Sequence, residues 1–170
     1  MSKIIESFIG KWVLDRISNK VYVRQYGCLK GKSTTHELVD LLHHWHQALD
    51  RNQTIRAVFM DCAKAFDHVN HSIVIRKLSK LGVPNILVKW ICSFLQDRYQ
   101  RVKLSSIFSD WLALNGGMPQ GSWLGPLTFL VLMDDLSTGC LMHKFVDDTT
   151  LSEIIGKDAV SQMDIFSVMY

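Results

Sequence analysis

Apolar and polar residues alternate along this chain with two different periods, and these periods predict its helices and strands. Residues 4–18 repeat apolar positions at intervals of three and four, as an amphipathic helix does. A second segment of this kind starts at Thr34, where Thr34 and Glu37 fit a capping box. Its predicted apolar stripe consists of Leu38, Leu41, Leu42, Trp45 and Leu49.

Turn residues separate further apolar runs in the middle of the chain. A helix is predicted over residues 71–81, with Asn70 as its cap and Gly82 as its end. Pro84 then begins another helix, which runs to about Gln96. A glycine- and proline-rich turn, "GGMPQGSWLGP", leads into a further predicted helix, "LTFLVLMDDL".

Strand patterns fall between these helices. The run "IRAVFM" at 55–60 is short, apolar and partly β-branched, which predicts a buried strand. "QRVKLSS" and "DWLALN" predict a β-hairpin, whereas "LMHKFV" and "TTLSEI" predict two strands that are joined at Asp147 and Asp148. Because strands alternate with helices and hairpins, the predicted class is α+β, with an antiparallel sheet backed by helices.

Composition narrows the class of protein. The chain has 170 residues, of which 48% are hydrophobic, and this suits one domain with a sizeable core. No apolar run reaches about 18 residues, so we expect no membrane-spanning helix. The N-terminal segment is an amphipathic helix rather than a signal peptide. The four cysteines are widely spaced, which predicts free thiols, no disulfide-linked partner and an intracellular location.

Charge is distributed unevenly, although the net charge is only +3. Residues 20–32 contain four basic residues and no acidic one, and Arg98, Arg101 and Lys103 form a second basic cluster. Such patches suit contacts with phosphate groups, as in nucleic-acid binding. A solvated surface explains the same charges equally well, so charge alone leaves both interpretations open.

Acidic residues follow or separate the predicted strands. Asp61 ends the strand at 55–60, and the adjacent Asp147 and Asp148 lie between the last two strands. Carboxylates clustered at strand ends suggest a divalent cation such as Mg²⁺, which accepts one or two carboxylates and completes its shell with water and phosphate oxygens. Two adjacent aspartates also occur in ordinary tight turns. Sequence spacing does not decide whether Asp61 meets the pair.

Four segments, in order, resemble the motifs of a known family. They are "QYGCLKGKSTTHELVDLL" (25–42), "AVFMDCAKAFDHVNH" (57–71), "GMPQGSWLGPLTF" (117–129) and "FVDDTTL" (145–151). They resemble the palm motifs and the preceding segment of reverse transcriptases from non-LTR retrotransposons of the jockey and chicken-repeat-1 type. The resemblance covers the chain to about residue 155.

The resemblance implies a polymerase-type architecture. Residues 1–155 would form a truncated reverse transcriptase domain, with part of the fingers at roughly 1–52 and the palm at roughly 53–155. Residues 156–170 do not resemble the next palm motif and are expected to form an atypical tail. The thumb does not fit in the remaining length, so we expect little or no processive polymerisation by this chain alone.

The resemblance also implies roles for individual residues. Asp61, Asp147 and Asp148 would be the catalytic carboxylates that hold Mg²⁺ or Mn²⁺. Phe66 matches the steric gate, whose ring would crowd a ribose 2′-OH and favour deoxynucleotides. The remaining residues assigned to nucleotide or template binding are Pro119, Gln120, Gly121, Ser122, Lys30 and Lys32.

The implied reaction is nucleotidyl transfer by a two-metal mechanism. A primer 3′-OH would attack the α-phosphate of a dNTP on an RNA or DNA template, and pyrophosphate would leave. The implied partners are therefore a template–primer duplex and dNTP, with no membrane. One alternative is a non-catalytic, nucleic-acid-binding or inert relic of a transposable element. Another is a two-metal nuclease, in which "MPQGSWLGP" would have no role.

Other conspicuous residues have simpler interpretations. His43, His44 and His46 do not all share one helix face, and His68 and His71 lack an accompanying cysteine pair, so no zinc site is expected. Three tryptophans fall on apolar faces and are expected in the core, whereas Trp123 suits either packing or nucleic-acid contact. Asp134 and Asp135 are expected to face solvent. The three core tryptophans are Trp45, Trp90 and Trp111.

Overall fold

The computed structural model describes residues 2–157, 159–161 and 163, and most of the tail at 156–170 lies outside these residues. The described residues form five helices and seven strands, a combination that agrees with the predicted α+β class. The helices are α1 (Ser2–Ile17), α2 (Thr34–Asp50), α3 (His71–Lys80), α4 (Asn85–Leu95) and α5 (Leu124–Met133). The strands are β1 (Thr54–Met60), β2 (Arg98–Gln100), β3 (Lys103–Leu104), β4 (Ile107–Phe108), β5 (Leu112–Leu114), β6 (Leu141–Phe145) and β7 (Asp148–Ile155).

Contacts divide the chain into two compact units. The first unit is formed from Met1–Val21 and Lys64–Leu132, and the second from Tyr22–Ala63 and Met133–Tyr170. Each unit is therefore built from two separate stretches of sequence. The second unit contains a three-stranded sheet, and the first contains most of the helices and the hairpin strands.

The sheet of the second unit has the strand order β1-β7-β6, and both pairs are antiparallel. Helix α2 packs against β1 and β6, and the indole Nε1 of Trp45 donates a hydrogen bond to Ser152 Oγ at 2.9 Å. This is the helix-backed antiparallel sheet that the pattern predicts. The helix begins one residue earlier than expected, because Ser33 rather than Thr34 is the cap and its hydroxyl accepts from the backbone N–H of His36.

Strand β1 forms as predicted, but the prediction that it is buried is wrong. Val58 is 43% exposed and Phe59 is 70% exposed. Strand β1 lies at one edge of the sheet, and the elements packed around it leave these two side chains uncovered, whereas the central residues of β6, at the other edge, are buried. The core beside β7 is instead built around Met142, Leu151 and Met163.

The predicted stripe of α2 is buried only in part. Leu41 lies in the core, whereas Leu38, Leu42 and Leu49 are each about half exposed or more. The helix itself forms because its caps and periodicity are local properties. Which members of the stripe are covered depends on neighbours that periodicity does not specify.

The first unit contains the predicted helices, and α3 ends within one residue of the predicted end, whereas α5 begins and ends three residues earlier than predicted. The Asn70 side chain caps α3 by accepting from the N–H of Ile73 at 3.1 Å, and Gly82 follows that helix at φ +77. A positive φ is accessible to glycine at little cost, which explains why the helix stops there. Helix α5 is apolar on all sides, and seven of its residues are buried, as expected for a central helix.

The predicted β-hairpin of "QRVKLSS" and "DWLALN" is confirmed only in part, because Gln100 is the one residue of the first segment that pairs with the second within the described strands. Strand β2 pairs with β5 and β3 pairs with β4, both antiparallel. Trp111 is 62% exposed, so the prediction of a core position is wrong for this residue. Its ring is covered instead by the guanidinium group of Arg101, whose Cζ lies 4.5 Å from the ring centroid. An exposed aromatic ring of this kind is stabilised by the cation rather than by burial.

Within the described residues, every helix is too short or too polar to cross a bilayer.

Candidate active site

The two adjacent aspartates lie at the tight turn between β6 and β7. Phe145 and Asp148 form the last strand pair, so Val146 and Asp147 are the two turn residues. The turn thus lies one residue earlier than the sequence indicated, since Asp148 already belongs to β7. Val146 has φ +59, a value that a β-branched residue rarely adopts. The surrounding structure must hold this turn in place, because the backbone conformation is intrinsically unfavourable.

The strand register brings the end of β1 toward the turn. Met60, the last residue of β1, pairs with Thr149, the neighbour of Asp148, and Asp61 follows Met60 directly. Asp61 and Asp148 are exposed, and Asp147 is half-buried. All three carboxylates therefore lie at one end of the sheet and are accessible to solvent.

Their negative charges interact. Burial raises the pKa of Asp148 above its usual 3.8, and the neighbouring charges of Asp147 and Asp61 raise it further. The pKa of the Cys62 thiol is raised by burial and then by the same three aspartates. Burial and Asp148 together raise the pKa of Glu37 on α2, a residue that the sequence analysis named only as a member of a capping box. This end of the sheet therefore attracts cations.

The donor set suits a hard divalent cation. Carboxylate oxygens are the ligands that Mg²⁺ and Mn²⁺ prefer, and the mutual repulsion of the three aspartates is relieved by positive charge. The described side chains whose potential ligand atoms all lie within 4.8 Å of one another are Asp40, His44 and His143, not the three aspartates. The aspartates form an open arrangement rather than a closed cage. Mg²⁺ commonly uses such open sites, because it retains waters and takes substrate phosphates as ligands.

Asp40 is the centre of a hydrogen-bonded network in the same unit. Its Oδ2 atom accepts from Tyr26 Oη at 2.8 Å, from His143 Nε2 at 3.0 Å and from Arg24 Nε at 3.1 Å. Burial alone would raise the pKa of Asp40, but these three hydrogen bonds lower it below its usual value. Burial and the hydrogen bond to Asp40 raise the pKa of Tyr26 to about 12.

The potential ligand atoms of Asp40, His44 and His143 are close enough together for a metal site, but their hydrogen bonds are those of a structural cluster. The Nδ1 atom of His44 lies 2.7 Å from the carbonyl oxygen of Asp40, and its Nε2 atom lies 3.2 Å from a guanidinium nitrogen of Arg24. Both ring nitrogens are thus already engaged, and a permanent positive charge lies beside the carboxylate. We interpret the cluster as a hydrogen-bonded support between α2 and β6.

Lys144 is a second support that sequence reasoning missed. It is fully buried in β6, where its ammonium group donates to the carbonyl oxygens of Met133, Asp134 and Leu136 at 2.7–3.1 Å. A buried lysine with so many acceptors fixes the strand that leads to the turn. The available signal was a polar pair, "HK", inside an otherwise apolar strand.

Asp134 corrects a further expectation. Its Oδ1 atom accepts from the backbone N–H of Tyr22 at 2.7 Å, so it does not simply face solvent. Asp135 is exposed, as expected.

Lys30 and Lys32 belong to the same unit but differ in their surroundings. The Lys30 side chain is exposed. Lys32 is half-buried, with its ammonium group donating to Val23 O at 2.5 Å and lying 4.9 Å from the centroid of the Tyr26 ring. Burial lowers the pKa of Lys32. Of the two, Lys30 is the one whose charge is presented to solvent.

The other predicted binding residues lie in the first unit. Phe66 is half-buried, with its ring centroid 5.8 Å from that of Phe129. A Cβ atom on Gly125 of α5 would lie 3.6 Å from the Phe66 ring, and the carbonyl oxygen of Phe66 accepts from Met118 N at 2.7 Å. These contacts fix both the ring and the backbone of Phe66.

The glycine-rich loop contains two residues that require glycine's freedom. Gly117 and Gly121 both have φ +76, and a Cβ on Gly117 would lie 2.9 Å from the carbonyl oxygen of Asp67. The backbone N–H of Ser122 donates to Pro119 O at 3.0 Å, which closes the turn. Gln120 is exposed at its tip, where its amide is available to a ligand.

Ser122 and Trp123 have partners within the fold. The hydroxyl of Ser122 donates to Glu6 Oε2 at 2.7 Å, and the backbone N–H of Trp123 donates to the same oxygen at 3.0 Å. Gly10 of α1 packs so closely on the Trp123 ring that a Cβ there would lie 1.8 Å from it. These contacts favour packing over base stacking for Trp123. Glu6, which is buried, is another residue that the sequence interpretation missed.

Comparison with known proteins agrees with the resemblance seen in the motifs. A family model described as reverse transcriptase (RNA-dependent DNA polymerase) matches residues 1–165. The chain therefore belongs to the reverse transcriptase family.

Individual relatives place it among retrotransposon enzymes. The chain is 34% identical over 138 residues to a probable RNA-directed DNA polymerase from transposon BS of Drosophila melanogaster, an alignment that covers 80% of this chain and 15% of that protein. It is 28% identical over 163 residues to the RNA-directed DNA polymerase from mobile element jockey of the same species, with 89% of this chain and 18% of that protein covered. A Pol polyprotein from the type-1 retrotransposable element R2 of Popillia japonica is 26% identical to this chain over 105 residues. That alignment covers 62% of this chain and 17% of the polyprotein.

These relatives confirm the predicted kinship with non-LTR retrotransposon reverse transcriptases. The chain spans less than a fifth of the length of each of these relatives.

Proposed function

We propose that this chain forms the catalytic part of an RNA-directed DNA polymerase, which adds a deoxynucleotide to a primer 3′-OH on an RNA or DNA template. One observation supports this most strongly. Strand β1 pairs with β7 as far as Met60 and Thr149, and Asp61 directly follows the first of these residues while Asp148 directly precedes the second. A chain with these three carboxylates at one sheet end, and with membership of this family, has the acidic groups that nucleotidyl transfer requires.

In this proposal Asp61, Asp147 and Asp148 hold Mg²⁺ or Mn²⁺. The metal, when bound, supplies positive charge that neutralises the phosphate oxygens and lowers the pKa of an attacking hydroxyl. The residues of the chain place this charge at the end of the sheet. Burial and then the charges of Asp147 and Asp61 raise the pKa of Asp148, so its negative charge is unfavourable in the metal-free state.

The finer assignments follow the same family resemblance. Residues at roughly 53–155 are proposed as the palm and residues at roughly 1–52 as part of the fingers. Phe66 is proposed as the steric gate, since Phe129 and Gly125 hold its ring in a fixed position. The loop at 119–122 is proposed to contact template and nucleotide mainly through Gln120 and the loop backbone, because the Ser122 hydroxyl is bonded to Glu6. Lys30 is proposed to contact phosphate.

A single-nucleotide addition assay tests the proposal. The chain is incubated with a labelled DNA primer on an RNA template, Mg²⁺ or Mn²⁺, and one dNTP at a time. We expect addition of the templated nucleotide only, and its loss in Asp147→Asn. Asp50→Asn is the matched control, because Asp50 is an exposed aspartate at the end of α2.

Two results would contradict the proposal. Equal addition by wild type and Asp147→Asn would show that the activity does not depend on the turn. Failure of a folded wild-type chain to add any nucleotide, with binding of the template–primer retained, would favour a non-catalytic nucleic-acid-binding relic instead.

A further inference from the structure

We propose that Gln25 is a positioning residue for the acidic turn. Its side-chain oxygen holds the backbone of Val146, and thereby sets the direction of the Asp147 carboxylate toward a bound divalent cation. The metal part of this inference rests on the proposed function. The hydrogen bond between Gln25 and the Val146 backbone does not depend on that function.

Gln25 is buried directly against the turn. It is only 2% exposed, and its Oε1 atom accepts two backbone hydrogen bonds, from Gly27 N at 2.9 Å and from Val146 N at 3.2 Å. Two N–H donors identify the atom between them as the oxygen of the carboxamide. One side chain, more than a hundred residues away in sequence, therefore satisfies the amide of the first turn residue.

The backbone of Gln25 is itself fixed beside β6. The segment around it runs parallel to that strand, with an isolated bridge between Gln25 and Lys144. Lys144 N donates to Arg24 O at 2.9 Å, and Tyr26 N donates to Lys144 O at 2.8 Å. Since both neighbours of Gln25 are bonded to the buried Lys144, the position of its side-chain oxygen is well defined.

Gly27 brings this segment into contact with the turn. A Cβ atom at Gly27 would lie 2.5 Å from Val146 Cγ2 and 2.7 Å from Val146 N. Only a glycine allows this approach, because any larger residue would displace the turn. The Gln25–Gly27 segment thus packs against the turn and bonds to it on the same side.

The turn requires such a support. Val146 is β-branched and has φ +59, a conformation that persists only where surrounding contacts enforce it. Asp147 and Asp148 are also adjacent like charges, which repel each other when no cation is present. A hydrogen bond to the Val146 amide opposes both tendencies.

The chemistry of the side chain fits this role. The Nε2 atom of Gln25 is buried and has no hydrogen-bond partner among the described residues, so the oxygen is the atom that the structure uses. A carboxamide offers an acceptor without a charge. A carboxylate at the same place would add a fourth negative charge near the three aspartates.

The test combines hydrogen exchange of individual amides, followed by NMR, with Mn²⁺ affinity, followed by electron paramagnetic resonance. Gln25→Met keeps the length of the side chain and removes the acceptor. Gln25→Glu keeps an acceptor. Gln47→Met, on the exposed face of α2, is the matched control.

In Gln25→Met we expect the Val146 amide to exchange on the order of 10-fold faster, while amides in the β6–β7 ladder such as Leu151 keep their wild-type rates. The Mn²⁺ dissociation constant should rise roughly 10-fold, as for other residues that orient metal ligands. Gln25→Glu should retain slow exchange at Val146, and Gln47→Met should match wild type in both measurements.

Unchanged exchange at Val146 in Gln25→Met would overturn the inference, and so would faster exchange with unchanged Mn²⁺ affinity. If Gln25→Met does not fold, the uncharged and shorter Gln25→Asn decides, because wild-type exchange at Val146 in a folded Gln25→Asn protein also contradicts it. If wild type binds Mn²⁺ no better than Asp147→Asn does, the proposed function fails. In that case the exchange rate of the Val146 amide in Gln25→Met still shows whether Gln25 holds the turn.

Discussion

The negative charge of Asp148, at the acidic turn, is unfavourable in the folded protein. Its pKa is raised by burial and by Asp147 and Asp61, so folding is favoured while Asp148 is protonated. That advantage is lost as the pH rises from about 3.8 through the higher folded-state pKa. The metal-free protein therefore carries an electrostatic cost at neutral pH that a bound cation would remove.

We predict that Asp148→Asn stabilises the metal-free protein at pH 7, because the amide removes this repulsion. The gain over wild type should shrink as the pH is lowered toward 3.5, where the aspartate becomes protonated. Urea unfolding in EDTA at both pH values measures the difference, and Asp50→Asn serves as the control. A gain that does not depend on pH would contradict the electrostatic explanation.

His143 leads to a prediction of acid sensitivity. It is fully buried, and burial lowers its pKa below 6.5 more strongly than its hydrogen bond to Asp40 raises it, while Arg24 and His44 also lower it. A depressed pKa means that stability is present above about pH 6.5 and is lost as the pH falls toward the folded-state pKa. Unfolding free energies between pH 7.5 and 5 should decline in wild type, and less steeply in His143→Gln. An equal decline of the unfolding free energy with pH in wild type and in His143→Gln would rule out His143 as the cause.

Phe66 provides a residue-scale prediction about substrate choice. If its ring excludes the ribose 2′-OH, Phe66→Ala should incorporate ribonucleotides more readily while still adding the templated deoxynucleotide. The measurement is the ratio of kcat/KM for a dNTP and the matching rNTP. The packing of the ring on Phe129 predicts some loss of stability as well, so unfolding is measured in parallel. An unchanged ratio in a folded variant would argue against the gate.

At the scale of elements, the turn between β6 and β7 depends on the segment packed against it. Gly27→Ala should push the turn away, because the added Cβ would lie 2.5 Å from the Val146 side chain. We expect a loss of about 1–3 kcal/mol of stability, as for other overpacked sites, together with weaker Mn²⁺ binding. Gly156→Ala is the control, since among the described residues the nearest atom to its Cβ would be Ala159 Cβ at 4.0 Å. Equal stability of the two variants would contradict the close contact.

Local patterns predicted most of the elements, and the reasons are visible in α3. Its cap, Asn70, and its terminating glycine, Gly82, are adjacent to the helix in sequence, so the prediction required no knowledge of tertiary contacts. The exposure of β1 and of Trp111 was not predictable in this way. Burial depends on which element lies alongside, and an apolar run looks the same at the edge and in the centre of a sheet.

The acidic residues of the candidate site were predicted from the motifs, whereas their supports were not. Gln25 and Val146 are 121 positions apart, and Asp40 and His143 are 103 apart. Contacts between such distant residues follow from the parallel alignment of the 24–26 segment with β6 and from the packing of α2 on the sheet. Neither the pairing nor the packing leaves a periodic signal in the sequence.

At the scale of the whole molecule, the proposed functional residues are divided between the two units. The three aspartates and Lys30 belong to the second unit, and Phe66 and the loop at 119–122 belong to the first. The proposal therefore assigns the metal-binding carboxylates to the sheet unit and the selection of the nucleotide to the helical unit. The chain corresponds in length to less than a fifth of each of these relatives.

The central claim is that Asp61, Asp147 and Asp148 together form a divalent metal site. A titration with Mn²⁺, followed by electron paramagnetic resonance, tests it most directly in wild type, Asp61→Asn, Asp147→Asn and Asp50→Asn. We predict specific binding in wild type and Asp50→Asn, and at least about 10-fold weaker binding in Asp61→Asn and Asp147→Asn, since a lost ligand should cost no less than a lost supporting residue. Equal Mn²⁺ affinity in all four folded proteins would contradict the claim.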